Sequence, residues 1–95
     1  MAKKIALVTG GIGGIGSEIC KALSDQGRFV VAGHLPQEQE QAEAWLTEMK
    51  SAGYDVDIAA GNVASFESAG EMVAAISDKH GSIEILVNCA GITRD

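Results

Sequence analysis

From Thr9 the chain reads Thr9-Gly10-Gly11-Ile12-Gly13-Gly14-Ile15-Gly16. Glycines so spaced suit one kind of chemistry, holding a phosphate, because they adopt φ > 0 freely and let the backbone approach a ligand with no Cβ in the way. Two spacings fit. Gly11, Gly13 and Gly16 satisfy G-x-G-x-x-G, while Thr9-Gly10 with Gly14 and Gly16 satisfies the more restrictive T-G-x-x-x-G-x-G. A P-loop is excluded, since Ser17 stands where that loop needs a lysine. An apolar run, Ile5 to Val8, enters the turn, and a helical pattern of Ile15, Ile19, Ala22 and Leu23 leaves it. In that strand–turn–helix setting a dinucleotide pyrophosphate would sit on the free N–H groups at the helix start. Gly13, Gly14 and Ile15 are its expected contacts. The alternative, a tight connection with no ligand, leaves the entropic cost of so many glycines without a purpose.

A second glycine-bearing segment, Asn88-Cys89-Ala90-Gly91, follows the apolar run Ile83 to Val87. The elements between the two alternate. Strand one covers Lys4 to Val8, and a helix from Gly14 to Gln26 is stopped by Gly27. Strand two covers Phe29 to Gly33; a helix from Gln37 to Ala52 follows Pro36 and ends at Gly53. Strand three, Val56 to Ala60, mixes apolar residues with aspartate as an outer strand does. Ser65 caps a helix that ends at His80-Gly81, and strand four is Ile83 to Val87. This β-α-β-α-β-α-β series implies right-handed crossovers and a parallel sheet. The expected fold is α/β, the N-terminal part of a doubly wound Rossmann fold, with strand four returning to the far side of strand one. Both glycine segments then meet at the switch point.

Residues 1–95 read as the N-terminal dinucleotide-binding half of one Rossmann domain, a fragment of a longer chain. Strand four would be left as an apolar edge with no proline or lysine to blunt it, and Ile92-Thr93-Arg94-Asp95 carries no stop signal. The net charge of −6 excludes nucleic acid and anionic membrane surfaces as partners. No apolar run reaches the ~18 residues of a membrane span. Met1-Ala2-Lys3-Lys4 and the run after it are too short for a signal peptide. Cys20 and Cys89, without a C-x-x-C spacing, read as reduced structural thiols in a cytoplasmic protein, with no metal site.

Thr9-Gly10-x-x-x-Gly14-x-Gly16 and Asn88-Cys89-Ala90-Gly91, placed so in this topology, resemble the short-chain dehydrogenase/reductases. The second motif is N-N-A-G in that family, and Cys89 departs from it. Asn62, in Gly61-Asn62-Val63, stands where the family has an acidic residue on the adenine; an amide oxygen can still accept from the adenine amino group. The resemblance implies a nicotinamide cofactor bound by Gly10, Gly13, Gly14, Ile15, Gly16, His34, Gly61, Asn62, Val63, Asn88, Cys89, Ala90, Gly91, Ile92 and Thr93, with Asn88 to Thr93 on the nicotinamide side. Within the family, the glycine turn, Val30-Val31-Ala32-Gly33, Gly61-Asn62-Val63 and Ala90 to Asp95 resemble acetoacetyl-CoA reductases of polyhydroxyalkanoate synthesis. The 3-oxoacyl-[acyl-carrier-protein] reductases are the alternative. They share Ile92 to Asp95 but commonly carry arginine where Gly13 stands. The implied reaction is reduction of acetoacetyl-CoA to (R)-3-hydroxybutyryl-CoA by a homotetramer, with Asp95 beside the acyl-CoA entrance.

The resemblance does not supply the catalyst, because the family's Ser, Tyr and Lys include a Y-x-x-x-K pair. The one tyrosine here, Tyr54, is followed four residues on by Ile58, so no catalytic residue is assigned. A non-catalytic dinucleotide-binding module is the reading from another class. Cofactor choice is set after strand two, where the chain reads Gly33-His34-Leu35-Pro36. No Lys or Arg occurs from Phe29 to Met49, and Glu38, Glu40, Glu43 and Glu48 fall there instead. That acidic field disfavours a 2′-phosphate. NADH is therefore the expected cofactor, with NADPH as the alternative. His34 either touches the ribose or is a solvated loop residue.

Overall fold

The computed structural model describes residues 4–89. Its elements are β1 (Ile5–Thr9), α1 (Gly14–Asp25), β2 (Phe29–His34), a 3₁₀ turn (Pro36–Glu38), α2 (Gln39–Ser51), β3 (Val56–Ala60), α3 (Phe66–His80) and β4 (Ile83–Asn88). The strands form one parallel sheet in the order β3-β2-β1-β4. The doubly wound arrangement expected from the sequence is therefore present.

β1 is an inner strand, paired on both sides, and all five of its residues are buried. Successive side chains point to opposite faces, so β1 feeds two cores. Ala6 and Val8 join Cys20, Val30, Ala32, Met49, Val56 and Cys89 beneath α1 and α2. Ile5 and Leu7 join Val31, Met72 and Ile76 beneath α3. Leu7, nearly free of solvent contact, contributes roughly 1.5–3 kcal/mol by burial. Tyr54 and Trp45 pack against the first cluster, as amphipathic rings do at a core margin.

Most boundaries shift by a residue or two from the sequence reading, and three of the shifts bear on the site. β1 runs one residue further, through Thr9, and β2 runs through His34. His34 is thus a strand residue, 3% exposed, and not a solvated loop histidine. Pro36 opens a 3₁₀ turn before the α-helix proper starts at Gln39. Glu38 causes this delay, because its side-chain Oε1 accepts the Leu35 N–H at 2.9 Å and closes the turn. Gly27 ends α1 region with φ +89, a left-handed conformation that suits glycine.

The amino-terminal end of the sheet is held by charge. His80 Nε2 donates to Asp57 Oδ2 at 2.8 Å, and Lys79 Nζ lies 3.1 Å from the same oxygen. The His80 ring also rests against Phe29, with centroids 4.5 Å apart. Burial by itself would raise the Asp57 carboxyl, but the hydrogen bonds from His80, the Ile58 N–H and Lys79 outweigh it and hold the group below its ordinary value of 3.8.

Candidate functional site

The carboxyl ends of β1 and β4 carry the two glycine-bearing segments, and the register pairs Thr9 with Asn88. A side-chain bond joins them. Thr9 Oγ1 donates to Asn88 Oδ1 at 2.7 Å, and the Cys89 N–H donates to the Thr9 carbonyl at 3.1 Å. Thr9 was not singled out as a site residue from the sequence. Its signal was its place at the head of T-G-x-x-x-G-x-G, directly at the strand end.

The glycines of the turn divide by what surrounds them. Gly10 has φ +66 and makes the reversal out of β1. A Cβ on Gly16 would stand 2.2 Å from the Gly10 carbonyl oxygen, and one on Gly11 would stand 2.7 Å from the Val8 carbonyl oxygen. Those two glycines exist so that backbone can pack on backbone. Gly14 is different: a Cβ there would meet nothing within 4 Å, and one on Gly13 would meet only the Gly10 oxygen, at 3.5 Å. The tight-turn, open-approach and close-packing roles thus fall on Gly10, Gly14 and Gly16, which matches the T-G-x-x-x-G-x-G spacing.

Gly13 is the N-cap of α1 and, having no side chain, offers no capping oxygen. No acidic residue lies in the first turn. The N–H groups of Gly14, Ile15 and Gly16 therefore start a helix with no intrahelical acceptor, at its positive end. Ile15 is half exposed. Beneath the turn the Cys20 thiol points at the Gly11 carbonyl, 3.7 Å away. Burial, reinforced by nearby Cys89, pushes that thiol up to about 12, so it is an inert packing group. Outside the turn the Trp45 indole donates to Ser17 Oγ at 3.1 Å and ties α2 to the first turns of α1.

A recess of about 220 Å³ adjoins the turn, lined by Thr9, Gly10, Gly33, His34, Leu35, Glu38, Gly61, Val63 and Met72. It brings together four of the residues expected at the cofactor, Gly10, His34, Gly61 and Val63, which come from three separate strand ends. His34 Nδ1 donates to the Leu35 carbonyl at 2.7 Å. Because a carbonyl only accepts, the proton is fixed on Nδ1 and Nε2 is left as an acceptor in the neutral ring. A larger hollow of about 340 Å³ lies between β3 and α3, beside Asp57, Lys79 and His80. It reaches none of the residues of the β1–α1 turn, whereas the smaller recess touches that turn through Gly10.

Other expected residues have additional work. Gly61 is buried, and a Cβ there would come within 2.9 Å of Met72 Cβ. Asn62 Oδ1 already accepts the Ala64 N–H at 3.0 Å, which uses one of its lone pairs to shape the loop. The Cys89 side chain packs in the core under α1 and α2, so only its backbone borders the cleft. Ala90, Gly91, Ile92, Thr93 and Asp95 lie outside the described residues. Glu38 was read as one of four helix glutamates; the recess shows it apart from the others. Among the described residues no cluster of His, Cys, Asp or Glu could hold a metal ion, and no helix is long and apolar enough to cross a membrane.

Residues 4–95 match the model of the short chain dehydrogenase family. An acetoacetyl-CoA reductase of Allochromatium vinosum is 49% identical over 92 residues, which cover 97% of this chain and 37% of that protein. One from Cupriavidus necator is 42% identical over 95 residues, covering all of this chain and 38% of that protein. The crystal structure of an actinorhodin polyketide ketoreductase variant with NADPH superposes with a TM-score of 0.82 at 33% identity, over 93% of this chain and 34% of that one. The chain thus spans less than two fifths of the length of the curated relatives it matches. With the glycine turn, the sheet order and the family model in agreement, the chain belongs to the short-chain dehydrogenases.

Proposed function

We propose that these residues are the N-terminal dinucleotide-binding half of an NADH-preferring reductase of 3-oxoacyl thioesters, acting on acetoacetyl-CoA to give (R)-3-hydroxybutyryl-CoA. The observation that carries the reading is the bare start of α1 over Gly13 and Gly14, a cradle that a side chain would fill, opening beside a recess with a carboxylate and no cation. The pyrophosphate would lie on the N–H groups of Gly14, Ile15 and Gly16, and the adenosine in the recess with His34, Gly61 and Val63, flanked by Asn62. Asn88, held by Thr9, and Cys89 would border the nicotinamide side; the family resemblance assigns Ala90, Gly91, Ile92 and Thr93 to the same side and Asp95 to the acyl-CoA. When bound, the reduced nicotinamide supplies hydride to the 3-oxo carbon. These residues bind and orient; the proton donor belongs to the remainder of the protein.

The similarity to acetoacetyl-CoA reductases supports the thioester substrate. The lack of Lys or Arg from Phe29 to Met49 supports NADH over the NADPH seen with the ketoreductase. The enzyme is further proposed to work as a cytoplasmic homotetramer. The test is steady-state kinetics of the full-length gene product with acetoacetyl-CoA and acetoacetyl-[acyl-carrier protein], each with NADH and NADPH. A higher kcat/KM for acetoacetyl-CoA with NADH is expected. Preference for the carrier-protein substrate would make it a fatty-acid-type reductase, preference for NADPH would refute the cofactor assignment, and binding without turnover would leave a non-catalytic module.

A further inference from the structure

We infer that Asp57 guards the outer edge of β3, closing it to a second copy of this chain that would otherwise add there as a further strand. Among the described residues β3 is the last strand of the sheet, paired with β2 on one side only. In a doubly wound sheet later strands add beyond β4, which leaves β3 outermost. Such an edge offers unpaired N–H and C=O groups to any strand that meets it. The ladder decides which groups those are. The Val30 N–H donates to the Asp55 carbonyl, and the Gly61 N–H donates to the His34 carbonyl at 2.8 Å. Odd-numbered residues of β3 therefore bond to β2, while Val56, Ile58 and Ala60 turn their backbone groups away from the sheet. Ile58 and Ala60 also line the hollow of about 340 Å³, and Ala60 is exposed, so solvent reaches this side.

The middle donor of that outward row is already taken. Asp57 Oδ1 accepts the N–H of the next residue, Ile58, at 2.8 Å. The other oxygen, Oδ2, is held from α3 by His80 Nε2 at 2.8 Å and by Lys79 Nζ at 3.1 Å. These contacts pin a carboxylate, 16% exposed, at the centre of a five-residue edge. A strand arriving at Ile58 would bring a carbonyl to an N–H that is occupied, and would bring it against a negative charge. Two copies meeting about a twofold axis at Ile58 would pair antiparallel, each Ile58 exchanging N–H and C=O with the other. That pairing sets the two Asp57 side chains at diagonal positions on one face, about 7–8 Å apart, where like charges repel. Asp57 thus closes the edge twice, by filling the donor and by charge.

Sedimentation velocity of the full-length protein over a wide concentration range tests this. Asp57→Ala is expected to form species of about twice the wild-type mass or more, growing with concentration. Asp57→Ala combined with Ala60→Pro is expected to return to the wild-type mass, because the proline removes an outward N–H and none of the bonds to β2. An Asp57→Ala protein that keeps the wild-type mass overturns the guard. Association undiminished by the proline overturns it too, since chains that stick because they are loosened do so without regard to the N–H groups of β3. If either variant does not fold, amide hydrogen exchange on the wild type decides. The Ile58 N–H, held by Asp57, should exchange about tenfold more slowly than the outward Ala60 N–H. That difference supports the guard, and equal rates overturn it.

Discussion

Helices α1 and α3 both begin beyond the carboxyl ends of strands, yet their first turns are built in opposite ways. α3 completes itself: Ser65 Oγ accepts the Ser68 N–H at 3.2 Å, and Glu67 sets a negative charge in the first turn. α1 has a glycine at the same position and neither device. A glycine cap gives up only about a few tenths of a kcal/mol against serine, but it leaves the first-turn N–H groups with no side-chain acceptor. The chain bears that cost at α1 and avoids it at α3. The difference marks which terminus serves the fold and which is left for an anion.

The contrast can be broken most severely at Gly16. Placing a Cβ 2.2 Å from the Gly10 oxygen forces turn and helix apart, and Gly16→Ala should destabilise the full-length protein by about 3 kcal/mol. Thermal melts would show it as a large drop in Tm; an unchanged Tm would refute the packing role. Gly14→Val comes next, and it should act on the ligand alone. The site has room for the side chain in the free protein, so Tm should barely move while NADH affinity falls roughly tenfold or more, about 1.4 kcal/mol. Unaltered NADH affinity in a titration would remove the pyrophosphate from this turn. Ser65→Ala is the mirror experiment: about 1 kcal/mol of stability lost, with NADH affinity intact. A matching loss of affinity would mean that the two helix starts are not functionally distinct.

The smallest effect lies at the opposite end of the sheet. The Asp57 carboxyl is held below 3.8, so its pairing with His80 and Lys79 contributes fully above that pH and fades as pH falls through the lower folded value. Asp57→Asn should lower stability near neutrality by about 1 kcal/mol or less, since Lys79 is well exposed and screened. The deficit should vanish in acid. Parallel Tm-against-pH curves for the two proteins, with no convergence at low pH, would contradict this.

Much of this architecture was legible because it is periodic. Apolar runs bounded by glycine gave the four strands and their parallel order, and Ser65 announced its own helix. The glycine spacing gave the turn, though not the division of labour between Gly14 and Gly16. That division depends on whether backbone or empty space faces each Cα, which spacing cannot express. Glu38 was missed for a local reason: Pro36 invited a continuous helix, and a glutamate at its start looks like its solvated neighbours. The Leu35 N–H bond, a contact across three residues, and its place in the recess wall set it apart. His34 was left outside its strand because Gly33 resembles a stop, whereas pairing with β3 carries β2 one residue beyond it.

Cys20 gives the molecule a clock for its own opening. Its thiol is fully buried beneath the Gly11 carbonyl and pushed up to about 12, so a thiol reagent in neutral solution finds no thiolate to attack while α1 is seated. Modification waits for the turn and helix to lift from the sheet. The labelling rate therefore counts those excursions, and the stability it reports belongs to the glycine turn rather than to the protein as a whole. Any molecule that clasps the start of α1 slows the clock, whether or not it is ever chemically transformed.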